Sequence, residues 1–187
     1  MGVAGANVNR AVFFDRDGVL NEAIVRDGKP YPPASVEELR IVSRARYAVR
    51  RVRDAGYLAI AITNQPDVAR GTVTRKRVEE INSTVASRLS LDSVYCCFHD
   101  DDDRCECRKP KPGLLLQAAG EHDIDLSQSY VVGDRLKDVQ SGRSAGCTTV
   151  FIDFGYRETP AQTGADVVVA SLDAAVDAIL NRQGAVR

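Results

Sequence analysis

The sequence predicts a Rossmann-like α/β fold, with a parallel sheet and helices on both faces. Short runs of β-branched and aromatic residues alternate with longer helical patterns along most of the chain. Parallel strands need crossover connections, so this alternation indicates helices packed on both sides of the sheet. The 187 residues are enough for one domain with a sizeable core, and we expect a single domain over residues 1–187.

Six segments have the composition of buried strands and are bounded by turn residues. They cover residues 11–14, 57–63, 93–98, 130–132 and 148–152, with 167–169 as a possible edge strand. In open α/β sheets, ligands bind at the edge where the carboxyl ends of the parallel strands meet. We therefore look for functional side chains at the ends of these segments.

Capping residues and apolar periodicity predict the helices. Ser43 is a candidate N-cap for a helix that ends at Gly56, and Thr74 is a candidate N-cap for a second helix. The second helix places four apolar residues on one face: Val78, Ile81, Val85 and Leu89. Three more helices are expected near residue 113, after residue 134 and over residues 172–181.

The composition limits the class of partner. The formal net charge is -1, so the composition does not support a nucleic-acid partner. No apolar run approaches the roughly 18 residues that span a bilayer, and residues 1–10 lack the apolar core of a signal peptide. We expect a cytoplasmic protein that acts on a small molecule without contacting a membrane. Because no heptad repeat is present, we expect a monomer.

Two carboxylates separated by one residue follow the first predicted strand directly. These are Asp15 and Asp17, in the segment Asp-Arg-Asp-Gly. A carboxylate can attack phosphorus to form an aspartyl-phosphate, and a second one nearby can protonate the leaving alkoxide and then activate water. Magnesium would offset the repulsion between the nucleophile and a phosphate dianion, and it prefers hard oxygen ligands. The pair therefore indicates phosphate-ester chemistry.

Polar residues follow two other predicted strands at the same edge of the sheet. Thr63 and Asn64 end the second strand and offer a hydroxyl and an amide to phosphoryl oxygens, while Asp134 and Asp138 follow the fourth. Between these segments lies Lys109, whose ammonium can neutralise the charge of a transferring group. Segments that are distant in sequence are thus expected to converge on one site.

This ordered set resembles the haloacid dehalogenase superfamily over about residues 10–155. The matching positions are Asp15-x-Asp17-Gly18, Thr63, Lys109 and Gly133-Asp134 with Asp138. The resemblance implies that Asp15 is the nucleophile and a magnesium ligand, that Asp17 is the general acid and base and also a magnesium ligand, and that Asp134 is a further magnesium ligand. Aspartate at the second position of the motif is typical of phosphatases in this superfamily rather than dehalogenases.

The resemblance also implies which residues hold the transferring group. Thr63 and Lys109 would bind the phosphoryl group, and Asp138 would orient Lys109 or a metal-bound water. No inserted cap domain separates these motifs in the sequence, which is similar to the capless branch of the superfamily. We therefore expect a fold without a large cap domain.

Three cysteines and a histidine cluster within residues 97–107. Soft ligands at this spacing can close tetrahedrally around zinc, and a set with no open coordination position indicates a structural metal. The four candidate ligands are Cys97, His99, Cys105 and Cys107. The alternative interpretation is buried free thiols beside a surface histidine. Cys96 and Cys147 are expected to pack in the core.

The zinc loop joined to Cys-Arg-Lys-Pro resembles the superfamily branch that contains heptose bisphosphate and histidinol phosphatases. A bisphosphate needs a cation remote from the reacting phosphorus, which Arg108 and Arg135 could provide. Histidinol phosphate would need a carboxylate for its amine, with Glu22 or Asp27 as candidates. The resemblance implies hydrolysis of the 7-phosphate of D-glycero-D-manno-heptose 1,7-bisphosphate. Histidinol phosphatase and a catalytically silent, zinc-stabilised binding protein are the alternatives.

Overall fold

The computed structural model describes residues 8–26, 29–155 and 164–184. The strands are β1 (Ala11–Asp15), β2 (Ile24–Arg26), β3 (Lys29–Tyr31), β4 (Leu58–Asn64), β5 (Ser93–Cys97), β6 (Tyr130–Gly133), β7 (Thr148–Ile152) and β8 (Val167–Val169). The helices are α1 (Ala45–Asp54), α2 (Arg75–Leu89), α3 (Gly113–His122), α4 (Leu136–Ala145) and α5 (Leu172–Gly184).

Six of these strands form one parallel sheet in the order β5-β4-β1-β6-β7-β8. The chain builds outwards from β1 through β4 to β5, and then returns to the other side of β1 to add β6, β7 and β8. The strand order therefore reverses beside β1, and such a reversal opens a crevice at the carboxyl ends of the strands. Strands β2 and β3 form a separate antiparallel hairpin.

Strand β1 lies at the centre of the molecule because it is apolar on both faces. Its alternate side chains point to opposite sides of the sheet, as in any strand. Val12 and Phe14 pack in a core under α1, α2 and α5, whereas Ala11 and Phe13 pack in a second core under α3. Helix α4 covers the same face as α3 and packs on β6 and β7. The predicted parallel sheet with helices on both faces is confirmed.

All six predicted strands are present, and β8 is an edge strand as expected. The ends differ slightly: β1 and β6 each end one residue later than predicted, β4 begins and ends one residue later, and β5 ends one residue earlier. The β2–β3 hairpin was not predicted, because strands of three residues are too short to show an alternating pattern. Within the described residues the connection from β1 to β4 carries only this hairpin and α1, so no large cap domain is inserted there.

The helix predictions are confirmed with one exception. Thr74 caps α2, since its hydroxyl accepts a hydrogen bond from the Arg77 amide at 3.3 Å. The predicted apolar face of α2 is buried in full. The Ser43 prediction is wrong: Arg44 is the N-cap and makes no side-chain capping bond. The first helical bond runs from the Ala48 amide to the Arg44 carbonyl, so the helix begins one residue too late for Ser43 to cap it.

The described residues include no helix that is both long and apolar enough to cross a membrane.

Thr74 and Ser43 provide a matched test of helix capping. We expect Thr74→Ala to lower the free energy of unfolding by about 1 kcal/mol, because it removes an acceptor from an otherwise unpaired helix-start amide. Ser43→Ala should change it by less than about 0.5 kcal/mol, because Ser43 caps nothing. Urea denaturation of both variants measures the difference, and equal losses would contradict this description of α1 and α2.

Candidate active site

Asp15 is the last residue of β1 and lies where the strand order reverses. It is in register with Ile62 on β4, so the carboxylate emerges at the centre of the sheet's carboxyl edge. The residue is 7% exposed. A buried carboxylate at this position needs compensating charge, and the segments around it supply that charge.

Lys109 is the cation that neutralises Asp15. Its Nζ lies 2.5 Å from Asp15 Oδ1 and 2.6 Å from Asp138 Oδ1, and it also donates a hydrogen bond to the Ile62 carbonyl at 3.3 Å. Burial alone would lower the pKa of Lys109, but the charges of Asp138 and Asp15 outweigh it and raise the pKa above its ordinary value. The ammonium therefore stays charged and is shared between two carboxylates.

Asn64 holds the backbone of Lys109. Its Nδ2 donates to the Lys109 carbonyl at 3.0 Å, and its Oδ1 accepts from the Lys109 amide at 3.1 Å. The amide was predicted to bind substrate, and Asn64 does line the active-site cavity. However, its oxygen and one of its N–H groups are already engaged. In this structure it positions the lysine, with one N–H left for a ligand.

Asp134 carries the clearest sign of a cation site. It follows β6, is 1% exposed, and neither of its carboxylate oxygens has a hydrogen-bond partner within the described part of the chain. Asp15, Asp134 and Asp138 each offer an oxygen, and these oxygens lie within 4.8 Å of one another. A buried, unpaired carboxylate is costly, and hard oxygen donors suit magnesium. The donor set therefore fits the predicted cation.

The pKa values of Asp15 and Asp134 are raised because several carboxylates lie close together in a buried site. Burial raises the pKa of Asp15 to about 6, with the charges of Asp138 and Asp17 adding to the rise and Lys109 opposing it. Burial also raises the pKa of Asp134 to about 8, and the Asp15 charge adds to it. A bound divalent cation would favour the ionised form of both groups.

Gly18 allows the Asp134 carboxylate to lie against the nucleophile loop. Its φ of 99° is in the left-handed region, and a Cβ at this position would lie 2.4 Å from Asp134 Oδ2. Any larger residue would clash with that oxygen and strain the backbone. The glycine of the Asp-Arg-Asp-Gly segment is thus needed for the approach of Asp134.

The Asp17 side chain does not join the carboxylate cluster, and its role as a magnesium ligand stays a prediction. Its oxygens instead accept hydrogen bonds from Arg16, from Asn21 at 3.0 Å and from Gln65 at 2.7 Å. Thr63 Oγ1 lies 3.4 Å from the same carboxylate. These donors turn Asp17 away from the cluster, whose third carboxylate is Asp138. Asp17 still lines the cavity, which suits a residue that exchanges protons with a ligand.

The carboxyl edge of the sheet encloses a cavity of about 210 Å³. It is lined by Asp15, Asp17, Tyr31, Pro32, Thr63, Asn64, Pro66, Asp67, Arg70, Lys109, Asp134, Arg135 and Lys137. The predicted phosphoryl-binding residues and nucleophile are therefore brought together. Of the two predicted remote cations, Arg135 lines the cavity, whereas Arg108 is not among the described lining residues.

Arg108 is engaged by the zinc loop. Its Nε donates to Asp101 Oδ1 at 2.6 Å, and its Nη1 to the His99 carbonyl at 3.4 Å. Two cations that the sequence did not single out line the cavity instead, Arg70 and Lys137. Arg70 lies in the loop that follows β4, and Lys137 lies in the segment Gly-Asp-Arg-Leu-Lys-Asp, which also carries Asp134 and Asp138. Lys137 is next to Asp138 in the sequence, but a linear pattern does not show which residues of a loop or helix start face a cavity, and only the fold does.

The four soft ligands of the zinc loop lie together. The Sγ–Sγ distances are 3.1 Å for Cys97–Cys107, 3.5 Å for Cys105–Cys107 and 3.7 Å for Cys97–Cys105, and His99 Nδ1 lies 3.3 Å from Cys107 Sγ. These distances exceed a disulfide bond of about 2.05 Å. They approach the edge of about 3.8 Å of a tetrahedron with Zn–S bonds of about 2.3 Å. The donor set therefore fits a structural zinc ion.

The remaining cysteines lie outside this cluster. Cys147 is buried in the core under α3, as predicted. Cys96 is only half-buried, and its side chain lines a surface cavity beside α2 rather than the core. Strand β5 is an edge strand whose outer side is not covered by a further strand, so the alternation that predicted core packing for Cys96 does not lead to full burial.

The chain is similar to proteins of known family. A family model described as HAD-hydrolase-like matches residues 106–175. Curated D-glycero-beta-D-manno-heptose-1,7-bisphosphate 7-phosphatases from Helicobacter pylori and Escherichia coli are 36% and 33% identical to it. The first alignment covers 74% of this chain and 80% of the relative, and the second covers 92% and 95%.

A crystal structure has the same fold. It is that of D,D-heptose 1,7-bisphosphate phosphatase from B. bronchiseptica complexed with magnesium and phosphate, with a TM-score of 0.80 and 30% sequence identity. The alignment covers 92% of this chain and 99% of that chain. Together with the convergence of the predicted residues on one cavity, these relatives show that the chain belongs to the HAD family of hydrolases and is a phosphoric monoester hydrolase.

Proposed function

We propose that the protein is a magnesium-dependent phosphatase that removes the 7-phosphate of D-glycero-β-D-manno-heptose 1,7-bisphosphate through an aspartyl-phosphate at Asp15. The observation that carries the chemistry is the position of Asp15 between the Lys109 ammonium and the unpaired carboxylate of Asp134. The names of relatives that align with most of this chain support the substrate.

In the first step, a carboxylate oxygen of Asp15 forms a bond to phosphorus while the bond from phosphorus to the sugar oxygen breaks. Lys109, which contacts this carboxylate, and the Thr63 hydroxyl would hold the phosphoryl oxygens. Asp17 in its protonated form would give its proton to the leaving alkoxide. When bound by Asp15 and Asp134, magnesium would neutralise the charge between the nucleophile and the phosphate.

In the second step, water attacks the phosphorus of the aspartyl-phosphate, and Asp17 as a carboxylate takes the proton of that water. The bond between Asp15 and phosphorus breaks, the electron pair returns to the Asp15 carboxylate, and inorganic phosphate is released. Asp138 would keep Lys109 in place through both steps, since it lies 2.6 Å from the ammonium without lining the cavity among the described residues.

The cations of the cavity support a substrate with two phosphates. Arg135, Lys137 and Arg70 lie around the same cavity as Asp15, and a phosphate remote from the reaction needs such partners. Arg70 is partly neutralised, because its guanidinium pairs with Asp100 at 2.6 Å. We assign the remote phosphate to Arg135 and Lys137, because both line the cavity and follow Asp134 closely in the chain. The reaction would serve the cytoplasmic route to nucleotide-activated heptose for surface polysaccharides such as lipopolysaccharide.

Histidinol phosphate is the less favoured substrate. Of the carboxylates predicted to bind its amine, Glu22 is not among the described lining residues, and Asp27 lies outside the described residues. Asp67 lines the cavity but lies 3.4 Å from the Arg70 guanidinium. The named relatives are also heptose enzymes. A silent binding protein is disfavoured because those relatives are phosphatases.

We also propose that Cys97, His99, Cys105 and Cys107 bind one structural zinc ion. Burial and the neighbouring Cys97 thiol raise the pKa of Cys107 above its ordinary value, which indicates that a cation is needed for the thiols to ionise together. The loop that they close leads directly into Lys109. Zinc would therefore stabilise the position of the lysine rather than take part in the reaction.

Replacing the nucleophile should remove activity without unfolding the protein. We expect Asp15→Asn to lower magnesium-dependent phosphate release by more than about 10³-fold, because an amide does not attack phosphorus. Asp54→Asn, an exposed site on α1, serves as the matched control and should keep full activity. Turnover that survives in a folded Asp15→Asn variant would assign the nucleophile elsewhere, and absence of turnover in the unmodified protein would favour the binding-protein interpretation.

A comparison of substrates tests the specificity. With magnesium, heptose 1,7-bisphosphate should be hydrolysed with a kcat/KM at least about tenfold above that of histidinol phosphate, because a second phosphate adds contacts to cations worth more than about 1.4 kcal/mol. Phosphate release from both substrates is measured at equal enzyme concentration. A preference for histidinol phosphate would keep the mechanism and overturn the substrate.

The zinc proposal predicts a metal content. The purified protein should contain about one zinc ion per chain by elemental analysis, and Cys107→Ala should lose it and unfold at a lower temperature. Cys147→Ala removes a buried cysteine outside the cluster and should retain the zinc. Equal zinc contents in the two variants would show that the cluster does not bind the metal.

A further inference from the structure

Arg16, the residue between the two catalytic aspartates, is fully buried, with 0% of its side chain exposed. It is the largest completely buried side chain of the described residues. Guanidinium groups are rarely removed from water, because their desolvation is costly unless every donor finds a partner. The burial of Arg16 therefore requires hydrogen-bond partners for its guanidinium.

The guanidinium of Arg16 contacts both oxygens of the Asp17 carboxylate, an arrangement that we call the fork. Nη2 donates to Asp17 Oδ2 at 2.9 Å and to Oδ1 at 3.0 Å, while Nε donates to Oδ1 at 3.1 Å. A planar guanidinium that contacts both oxygens restricts the rotation and the position of a carboxylate. This contact fixes the group that is proposed to transfer protons.

The other end of the guanidinium is anchored to α2. Nη1 donates to Asn82 Oδ1 at 2.6 Å, and both side chains are buried. Asn82 is a polar residue on a helix face that otherwise packs in the core, beside Ile81 and Val85. A buried amide there is explained by its bond to Arg16, so the fork has a rigid base outside the catalytic loops.

The contact between Arg16 and Asp17 keeps the Asp17 carboxylate apart from the other three carboxylates of the site. Asp15, Asp134 and Asp138 gather their oxygens within 4.8 Å, and Asp17 is kept out of that group. A divalent cation favours the ionised form of its ligands more strongly than a single guanidinium does. The fork holds Asp17 at the cavity wall, outside the cation site.

We propose that Arg16, anchored by Asn82, is a positioning residue for Asp17 and holds its carboxylate in place for proton transfer to the leaving group. This inference rests on the proposed function, which assigns Asp17 as the general acid and base. It extends that function to a pair of buried residues, on the catalytic loop and on α2, and the described hydrogen bonds of the Arg16 guanidinium go to Asp17 and Asn82.

Dependence on the leaving group tests this role. The value of kcat/KM reports the steps up to the first irreversible one, which is formation of the aspartyl-phosphate. A sugar alkoxide needs a proton to leave, whereas p-nitrophenolate leaves without one. We expect Arg16→Met to lower kcat/KM for heptose 1,7-bisphosphate by about 10²-fold and for p-nitrophenyl phosphate by less than about fivefold, since general acid catalysis contributes about 10²–10⁴-fold.

Two further variants keep the test valid where Arg16→Met does not fold. Asn82→Leu leaves the fork intact but removes its anchor, and Arg16→Lys keeps the charge but loses the fork. Both should show the same selective loss for the sugar ester, of about tenfold. Arg75→Met is the matched control on α2, because Arg75 lies on the exposed surface, where it pairs with Glu79 and stacks over the Phe98 ring, and it should leave both substrates unaffected.

Comparison with Asp17→Asn separates the role of Asp17 in proton transfer from the positioning of Asp17 by Arg16 and Asn82. If Asp17→Asn is selective for the sugar ester and folded Arg16 and Asn82 variants lose both substrates equally, these residues are merely structural and the inference is overturned. If Asp17→Asn itself is not selective, the assignment of Asp17 fails and the inference fails with it. Zinc content and melting temperature of each variant verify that it is folded.

Discussion

The buried contact between the Lys109 ammonium and two carboxylates is the interaction on which the site depends. Asp15 ends β1 and Asp138 lies in α4, so the ammonium joins three segments that are distant in sequence. Removing Lys109 from this buried network would leave two carboxylates without their cation, which is strongly destabilising, whereas loss of Asp15 alone leaves the ammonium paired with Asp138. The same contact prepares the chemistry, because the cation that balances the resting nucleophile is the one that would balance a transferring phosphate.

Neighbouring residues fix the position of Lys109 from two sides. Asn64 grips the lysine backbone through both its amide oxygen and its amide nitrogen, which ties the lysine to the end of β4. On the other side, the cluster of cysteines and His99 closes the loop that leads into it. A Cβ on Gly113 would lie 2.2 Å from the Glu106 carbonyl, so α3 begins in close contact with that loop. The proposed zinc ion would make this small loop rigid where it has little core of its own.

The acidic residues divide into two groups with different surroundings. Asp134 is buried and unpaired, as a cation ligand would be, and Gly18 leaves it just enough space beside the nucleophile loop. Asp17 receives hydrogen bonds from several donors and stays outside that group. Two carboxylates from one short motif therefore meet different electrostatic environments. That difference suits the proposed roles of Asp15 as nucleophile and Asp17 as proton carrier.

The sequence by itself determined the order of strands and helices, the parallel sheet and the motif residues, because apolar periodicity and chemically distinctive side chains are local properties. It erred at Ser43, where one residue of register decides a cap, and it did not predict the short hairpin. Only the tertiary structure decided that Arg108 turns to the zinc loop, that Lys137 lines the cavity, and that Asp17 is held by a buried Arg16. Such facts depend on contacts between distant segments, and a linear pattern of residues does not specify the direction of a polar side chain once several partners compete for it.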